Sequence, residues 1–176
     1  MSPPATIDRT WHLAQLNIGR AVAPIDSPQL ADFVAQLDEI NALAEASPGF
    51  VWRLTDDSGQ NATGIQYAID PLLLVNMSVW DSSEALFDYV YKSAHTGVMQ
   101  RRREFFQAPE KGQSYQVLWW VPAGVRPTVN DGLAKLWHLD RFGPTPMAFT
   151  FKQRFAAPGD TAGGELNPDG ICVGWE

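Results

Sequence analysis

Apolar residues along this chain recur in two rhythms, strict or near-continuous runs of four to nine and longer repeats at three- and four-residue steps, and these predict strands and helices respectively. Over 11–18, Trp11 and Leu13 share one face while Ala14, Leu16 and Ile18 share the other, so the spacing predicts a strand buried on both sides. After the Ser27-Pro28 start signal, Leu30, Phe33, Val34, Leu37, Ile40 and Leu43 recur at helical steps until Ser47-Pro-Gly49 stops them. A short strand is expected over 50–54, a polar turn over 56–64, and a central, almost wholly apolar strand over 72–80. From Ser83 a second helix is predicted to about Phe106, with Glu84 in its first turn and Arg101, Arg102 and Arg103 in its last, which suits the helix dipole. Its internal Gly97 costs about 1 kcal/mol relative to Ala and points to close packing or a bend. A strand over 116–121, a third helix over 128–141 ending at Gly143-Pro144, and an alternating strand over 148–155 complete the pattern.

The first six elements run strand, helix, strand, strand, helix, strand, the order of a ferredoxin-like split βαβ sandwich of the α+β class. We expect a flexible lead-in over 1–10, one domain over 11–157, and a Gly/Pro-rich C-terminal tail over 158–176. Helices in such a domain cover one sheet face, and the first strand is apolar on both. A second copy of the chain is therefore expected to cover the other face, making a homodimer.

Composition narrows the function classes. Of 176 residues 45% are hydrophobic, which is enough for a packed core and excludes a disordered chain. Twenty acidic against thirteen basic residues give a formal charge of −7, which argues against nucleic acid or an anionic membrane as partner. A single Cys, Cys172, rules out a disulfide framework and a multi-thiolate metal site, and fits a reducing cytoplasm. No basic start followed by an apolar run and no stretch of 18 apolar residues is present, so a cytoplasmic protein is expected. There is no nucleophile elbow, no phosphate-cradling loop and no dinucleotide fingerprint, and His12, His95 and His138 lie far apart in sequence; no metal site and no cofactor is expected. Seven Trp and nine Phe either fill a core or line a pocket for a flat apolar ligand.

Candidate chemistry centres on the second predicted helix. At 100° per residue Phe87, Tyr91, Ala94, Val98 and Phe105 form one stripe, with His95, Met99 and Arg102 along its edge. That arrangement puts a hydroxyl, an imidazole and a guanidinium beside an aromatic wall, and a neutral imidazole there is a general base. The alternatives are a half-buried, hydrogen-bonded core histidine and a solvated basic patch around Arg102. Trp80 ends the central strand just before this helix and faces either the same cleft or the core. Asn17 is a carboxamide within an apolar strand, where an unpaired amide costs about 1–3 kcal/mol, so a ligand or a backbone group must satisfy it. Trp119 and Trp120 point to opposite sheet faces, so one of them, taken as Trp120, lines a given cavity.

Four separated blocks carry a family resemblance: Asn76-Met-Ser-Val-Trp-Asp-Ser-Ser-Glu-Ala-Leu86, Tyr91-Lys-Ser-Ala-His95, Leu118-Trp-Trp-Val-Pro-Ala-Gly124 and Gly143-Pro-Thr-Pro-Met-Ala-Phe-Thr-Phe151. Together they resemble the DUF3291 domain over nearly all of 12–158. That family is similar to the antibiotic-biosynthesis-monooxygenase group of dimeric α+β barrels, which includes cofactor-free oxygenases of polyketide phenols and haem-degrading enzymes. The resemblance implies a dimeric α+β barrel holding a small aromatic or polyketide-like substrate. In the haem-degrading relatives an Asn on the first strand and an aromatic and a His on the second helix surround the ligand; Asn17, Tyr89 or Tyr91, and His95 occupy comparable places, and Tyr91 is taken with Asn17 and His95 as the catalytic set because Tyr89 falls on the helix face opposite Phe87. Trp80, Met99, Arg102 and Trp120, read from their positions beside the same cleft, are the expected substrate contacts. Oxygenation would draw electrons from the substrate's own phenolate, and the same anion stabilisation serves a cyclase or isomerase. A non-catalytic binding or assembly protein and a haem-binding protein remain as rival expectations.

Overall fold

In a computed structural model, residues 10–59, 61–66, 68, 70–93 and 101–160 are described. The chain forms β1 (Trp11–Arg20), a 3-10 turn (Pro28–Leu30) leading into α1 (Ala31–Ala46), β2 (Phe50–Arg53), β3 (Leu73–Trp80) and α2 (Ser83–Lys92). Then follow the short α3 (Arg102–Phe105), β4 (Gln116–Pro122) and α4 (Val129–Phe142). The strands make one sheet in the order β2-β3-β1-β4, antiparallel at every junction, with β1 at its centre. That order with one helix crossing after β1 and another after β3 is the ferredoxin-like α+β arrangement read from the element sequence.

Alternation in the central strands divides their side chains between two layers. Ala14 and Leu16, Val75, Met77 and Val79, and Val117, Trp119 and Val121 form the larger core with Leu136 and Leu139 of α4. Leu13, Trp80 and Leu118 face the other way and pack with Ala44 of α1, Leu86 and Val90 of α2, and Phe149.

Helix ends follow local chemistry. Ser82 caps α2, its hydroxyl accepting from the Ala85 amide at 3.2 Å. Thr128 and Asp131 form a capping box at the start of α4, and the Thr128 backbone and hydroxyl together hold the Asp131 carboxyl below the usual carboxylate range. Gly132 lets the first turn of α4 lie directly on Leu16, where an added Cβ would collide with that side chain.

Three expectations are corrected. The helix predicted over 83–106 ends at Lys92, because Ser93 takes an extended backbone and its hydroxyl donates back to the Tyr89 carbonyl, while α3 is a separate turn. The strand predicted over 148–155 is absent. Its alternation instead seats Phe149, Phe151 and Phe155 in the core beside Leu118, and Phe149 alone pairs with β4, exchanging hydrogen bonds with Leu118 at 2.8 and 2.9 Å. The second sheet face, which pointed to a partner subunit, carries α4 of the same chain. Residues 1–9 of the lead-in and 161–176 of the tail, including Cys172, lie outside the described residues.

Candidate functional site

Register across the three inner strands sorts the α1/α2 side of the sheet into ranks. Trp80, Leu13 and Trp120 make the first, Ser78, Gln15 and Leu118 the second, and Asn76, Asn17 and Gln116 the third. Polarity therefore rises along one face, from an apolar rank to a row of three carboxamides. The apolar end is filled. Trp80 is fully buried, stacked on Tyr89 at 5.0 Å and edge-on to Phe50 at 5.4 Å, and its indole N–H donates to Ser78 Oγ at 2.9 Å. Burial drives the Tyr89 phenol well above its ordinary value, so it stays neutral.

The polar end is hollow. A cavity of about 150 Å³ opens above Asn17, Asn76 and Gly19. Its walls are Phe33, Gln36, Leu37, Ile40 and Asn41 of α1, Asn61, Ala62 and Thr63 of the β2–β3 loop, and Arg102, Phe105 and Phe106. α1 buries Ala44 and leaves the wall residues only half-buried, because the hollow stands between them and the sheet. The sequence explains this helix: Phe33, Leu37 and Ile40 form its apolar stripe, and Gln36 and Asn41 flank it.

Arg102 reaches the cavity because the chain around it is tied to the far end of β1. The amides of Val22 and Gln107 donate to Phe105 O and Arg20 O at 2.9 and 2.8 Å. The guanidinium lies over the rings of Tyr115 and Phe106, 4.8 and 5.4 Å from their centres, and one terminal nitrogen donates to Ile18 O at 3.4 Å. Gly19 makes room for this, since a Cβ there would stand 2.8 Å from the Phe106 ring. Burial pulls the Arg102 guanidinium below its ordinary value, with Tyr115 acting in the opposite direction. Its Nε and the Oδ1 of Asn17 are both buried and lack hydrogen-bond partners. Asn17 and Arg102 thus both line one cavity, and each keeps one polar atom buried at the desolvation cost of an unmade bond.

The structure brings together Asn17 and Arg102 among the residues singled out from the sequence. Trp80 lines neither this cavity nor the second hollow, and Tyr91 packs on Phe87 and Phe151 at 4.6 and 5.6 Å, away from Asn17. Trp120 donates its indole N–H to Phe155 O at 2.9 Å and borders the second hollow, of about 490 Å³, with Trp11, Asp81, Glu84 and Asp160. His95 and Met99 lie outside the described residues. The stripe that joined Tyr91, His95 and Arg102 on one continuous helix does not exist in that form, since α2 stops at Lys92. Sequence reasoning missed Asn76 and the inner side of α1. A carboxamide inside an apolar strand, the same signal that marked Asn17, was there for Asn76. Among the described residues no three His, Cys, Asp or Glu side chains gather as for a metal ion, and no helix is long and apolar enough to cross a membrane.

A family model described as "Domain of unknown function (DUF3291)" matches residues 12–164. No curated protein matches the sequence. Among solved structures the chain is similar to a protein of unknown function, NE2512, from Nitrosomonas europaea, at 15% identity and a TM-score of 0.41, covering 68% of this chain and 96% of that one. It is similar to a putative antibiotic biosynthesis monooxygenase from Chloroflexus aurantiacus at 16% identity and a TM-score of 0.37, over 67% of this chain and 98% of that one. A third is the monooxygenase ActVA-Orf6 of Streptomyces coelicolor, solved with nanaomycin D, at 12% identity and a TM-score of 0.38, over 68% and 95% of the two chains. The fold assignment rests on the strand order and pairing of this chain itself.

Proposed function

The chain belongs to the DUF3291 family, and on that footing we propose that it is a cytoplasmic small-molecule enzyme whose substrate sits in the Asn17–Arg102 cavity. One observation supports this above the rest: Asn17 and Arg102, each with a buried polar atom that lacks a partner, line the same hollow. In a structure built only for stability, such groups are paired or replaced by apolar ones.

The chemistry that suits the Arg102 side of this cavity is stabilisation of a substrate oxyanion. Arg102 is a fixed positive charge in a largely desolvated wall, and a phenolate or enolate formed beside it is held without reorganisation of solvent. With a phenol as substrate, the anion donates electrons to O₂, one oxygen atom entering the ring and the other leaving as water, so that phenol and O₂ become quinone and water. His95, assigned as base by the family resemblance, belongs to this proposal as the group that takes the phenolic proton. Cyclisation or isomerisation through the same anion is the companion reaction. A homodimer stays part of the proposal, although the sheet face is already covered by α4; light scattering at micromolar concentration should give the mass of two chains.

Oxygen uptake, read electrochemically over a panel of phenols and naphthols, tests the enzyme. Uptake with at least one member, lost in both Asn17→Leu and His95→Ala, is the expected result. No uptake with any member, together with ligand binding unchanged in those variants, would abandon it.

A further inference from the structure

The sheet cannot give its own face to a second copy, because α4 already lies on it, so the surface a homodimer uses has to be sought on α4 itself. This helix turns Gly132, Leu136 and Leu139 inward. At 100° per residue its opposite side carries Asn130, Ala134, Trp137 and Arg141, flanked by Asp131, His138 and Phe142. Large apolar side chains stand in water there. Trp137, Phe142 and Met147 are 59%, 58% and 58% exposed, more than any other large hydrophobic side chain among the described residues. They belong to one patch. Phe142 lies edge-on to Trp137 at 6.1 Å and tilted against His138 at 4.8 Å; His138 hydrogen-bonds Thr145 Oγ1 at 3.0 Å, and that oxygen accepts from the Met147 amide at 3.3 Å. Single apolar residues scattered over a surface are ordinary, whereas a joined aromatic patch is the signature of an interface.

Charge says which partner fits this patch. At a formal charge of −7 two copies repel at a distance, so contact between them needs opposite charges placed locally. α4 supplies such a pair at its two ends. Asp131, exposed in the first turn, accepts from the Thr128 amide and hydroxyl through Oδ2 alone, which leaves Oδ1 to a further donor. Arg141, exposed in the last turn, lies over the Trp137 and Phe142 rings, 5.5 and 5.8 Å from their centres. Among the described residues no carboxylate stands within ion-pair distance of it, whereas Arg20, Arg53 and Arg101 are each met by one. About 15 Å of helix separates Asp131 from Arg141. Shape agrees with charge: near Asp131 the outer face presents the small Ala134, and near Arg141 it presents Trp137 and Phe142. The face is therefore complementary to itself when turned end for end.

We propose, resting on the homodimer within the proposed function, that two copies of the chain join through the outer faces of their α4 helices, packed antiparallel about a two-fold axis. A contact of this symmetry makes every interaction twice, so Asp131 of each copy meets Arg141 of the other. Ala134 of each receives Trp137 of the other, and the two helix dipoles oppose. Phe142 and Met147 add apolar area beside the charged pairs. The Asn17–Arg102 cavity lies on the far side of each sheet from this contact, so both cavities stay open in the dimer.

Light scattering on the full chain, with sedimentation to give the dissociation constant, is the test. At micromolar concentration the wild type should have the mass of two chains, and Trp137→Ser should weaken the dimer about tenfold or more, as expected on removing a central aromatic anchor. Arg141→Glu and Asp131→Arg each set like charges against one another across the axis, so each alone should be a monomer. An equimolar mixture of the two should recover the mass of two chains, because every charged contact in the mixed dimer again joins opposite signs. Melting temperatures check that the variants fold; if Asp131→Arg, which gives up the capping box, does not, Trp137→Ser and Arg141→Glu decide the surface. A wild-type dimer that survives both of those variants unchanged would overturn the α4 contact and leave the homodimer standing. Monomeric charge variants whose mixture stays monomeric would overturn the antiparallel pairing. A monomeric wild type would overturn the contact and the homodimer together.

Discussion

The two faces of one sheet have been put to different uses. Toward α4, residues 14 and 16 of β1, 75, 77 and 79 of β3, and 117, 119 and 121 of β4 are apolar and buried throughout. Toward α1 and α2, the intervening residues of the same strands include Gln15, Asn17, Asn76, Ser78 and Gln116, and a cavity remains where the carboxamides lie. A strand cannot alter one face by sliding, since a one-residue slip exchanges every side chain between the layers. The sealed face therefore fixes the register that presents the polar ranks to the other side. Stability and binding are separated by the two-residue period of a strand.

The comparison breaks first on truncation. Leu136→Ala, on the sealed face, should cost about 2–5 kcal/mol in denaturant unfolding, because a buried leucine leaves a void. Leu37→Ala, which merely widens an existing cavity, should cost well under half as much. Equal losses would mean that the α1 side is packed as tightly as the other.

A smaller effect probes how α4 is fastened to the sealed face. Thr128→Ala should cost about 1 kcal/mol by removing the capping box. The box also makes stability depend on pH. The folded Asp131 carboxyl lies below its ordinary 3.8, so the unfolded state takes up the proton first as pH falls. The contribution is complete above that value and is lost as pH drops through the folded one. Urea titrations between pH 6 and pH 2 should show a decline at the acid end that is shallower in Asp131→Asn than in the wild type.

Much of the sealed face was legible in the sequence, because apolar alternation in β1 and β4, the Pro127-Thr128 start and Gly143 stop of α4, and the continuous run of β3 are all local signals. Periodicity failed where tertiary or side-chain hydrogen bonds override it. Ser93 turns the chain out of α2 although the apolar stripe continues, and the alternating Phe149, Phe151 and Phe155 dock as a plug without a ladder. The site was legible in part for the same reason. Asn17 stood out as an amide in an apolar strand, whereas the meeting of Arg102 with it depends on the hydrogen bonds between 105–107 and 20–22, which no local pattern contains.

The central claim is that Arg102 is held in the cavity wall for a ligand, at the expense of stability. Equilibrium unfolding of Arg102→Met without ligand tests it most directly, since methionine keeps much of the packing against Tyr115 and Phe106 and removes the unpaired charge. The account predicts stability equal to or above that of the wild type. A loss of about 3 kcal/mol or more, the range for breaking a structural buried pair, would contradict it.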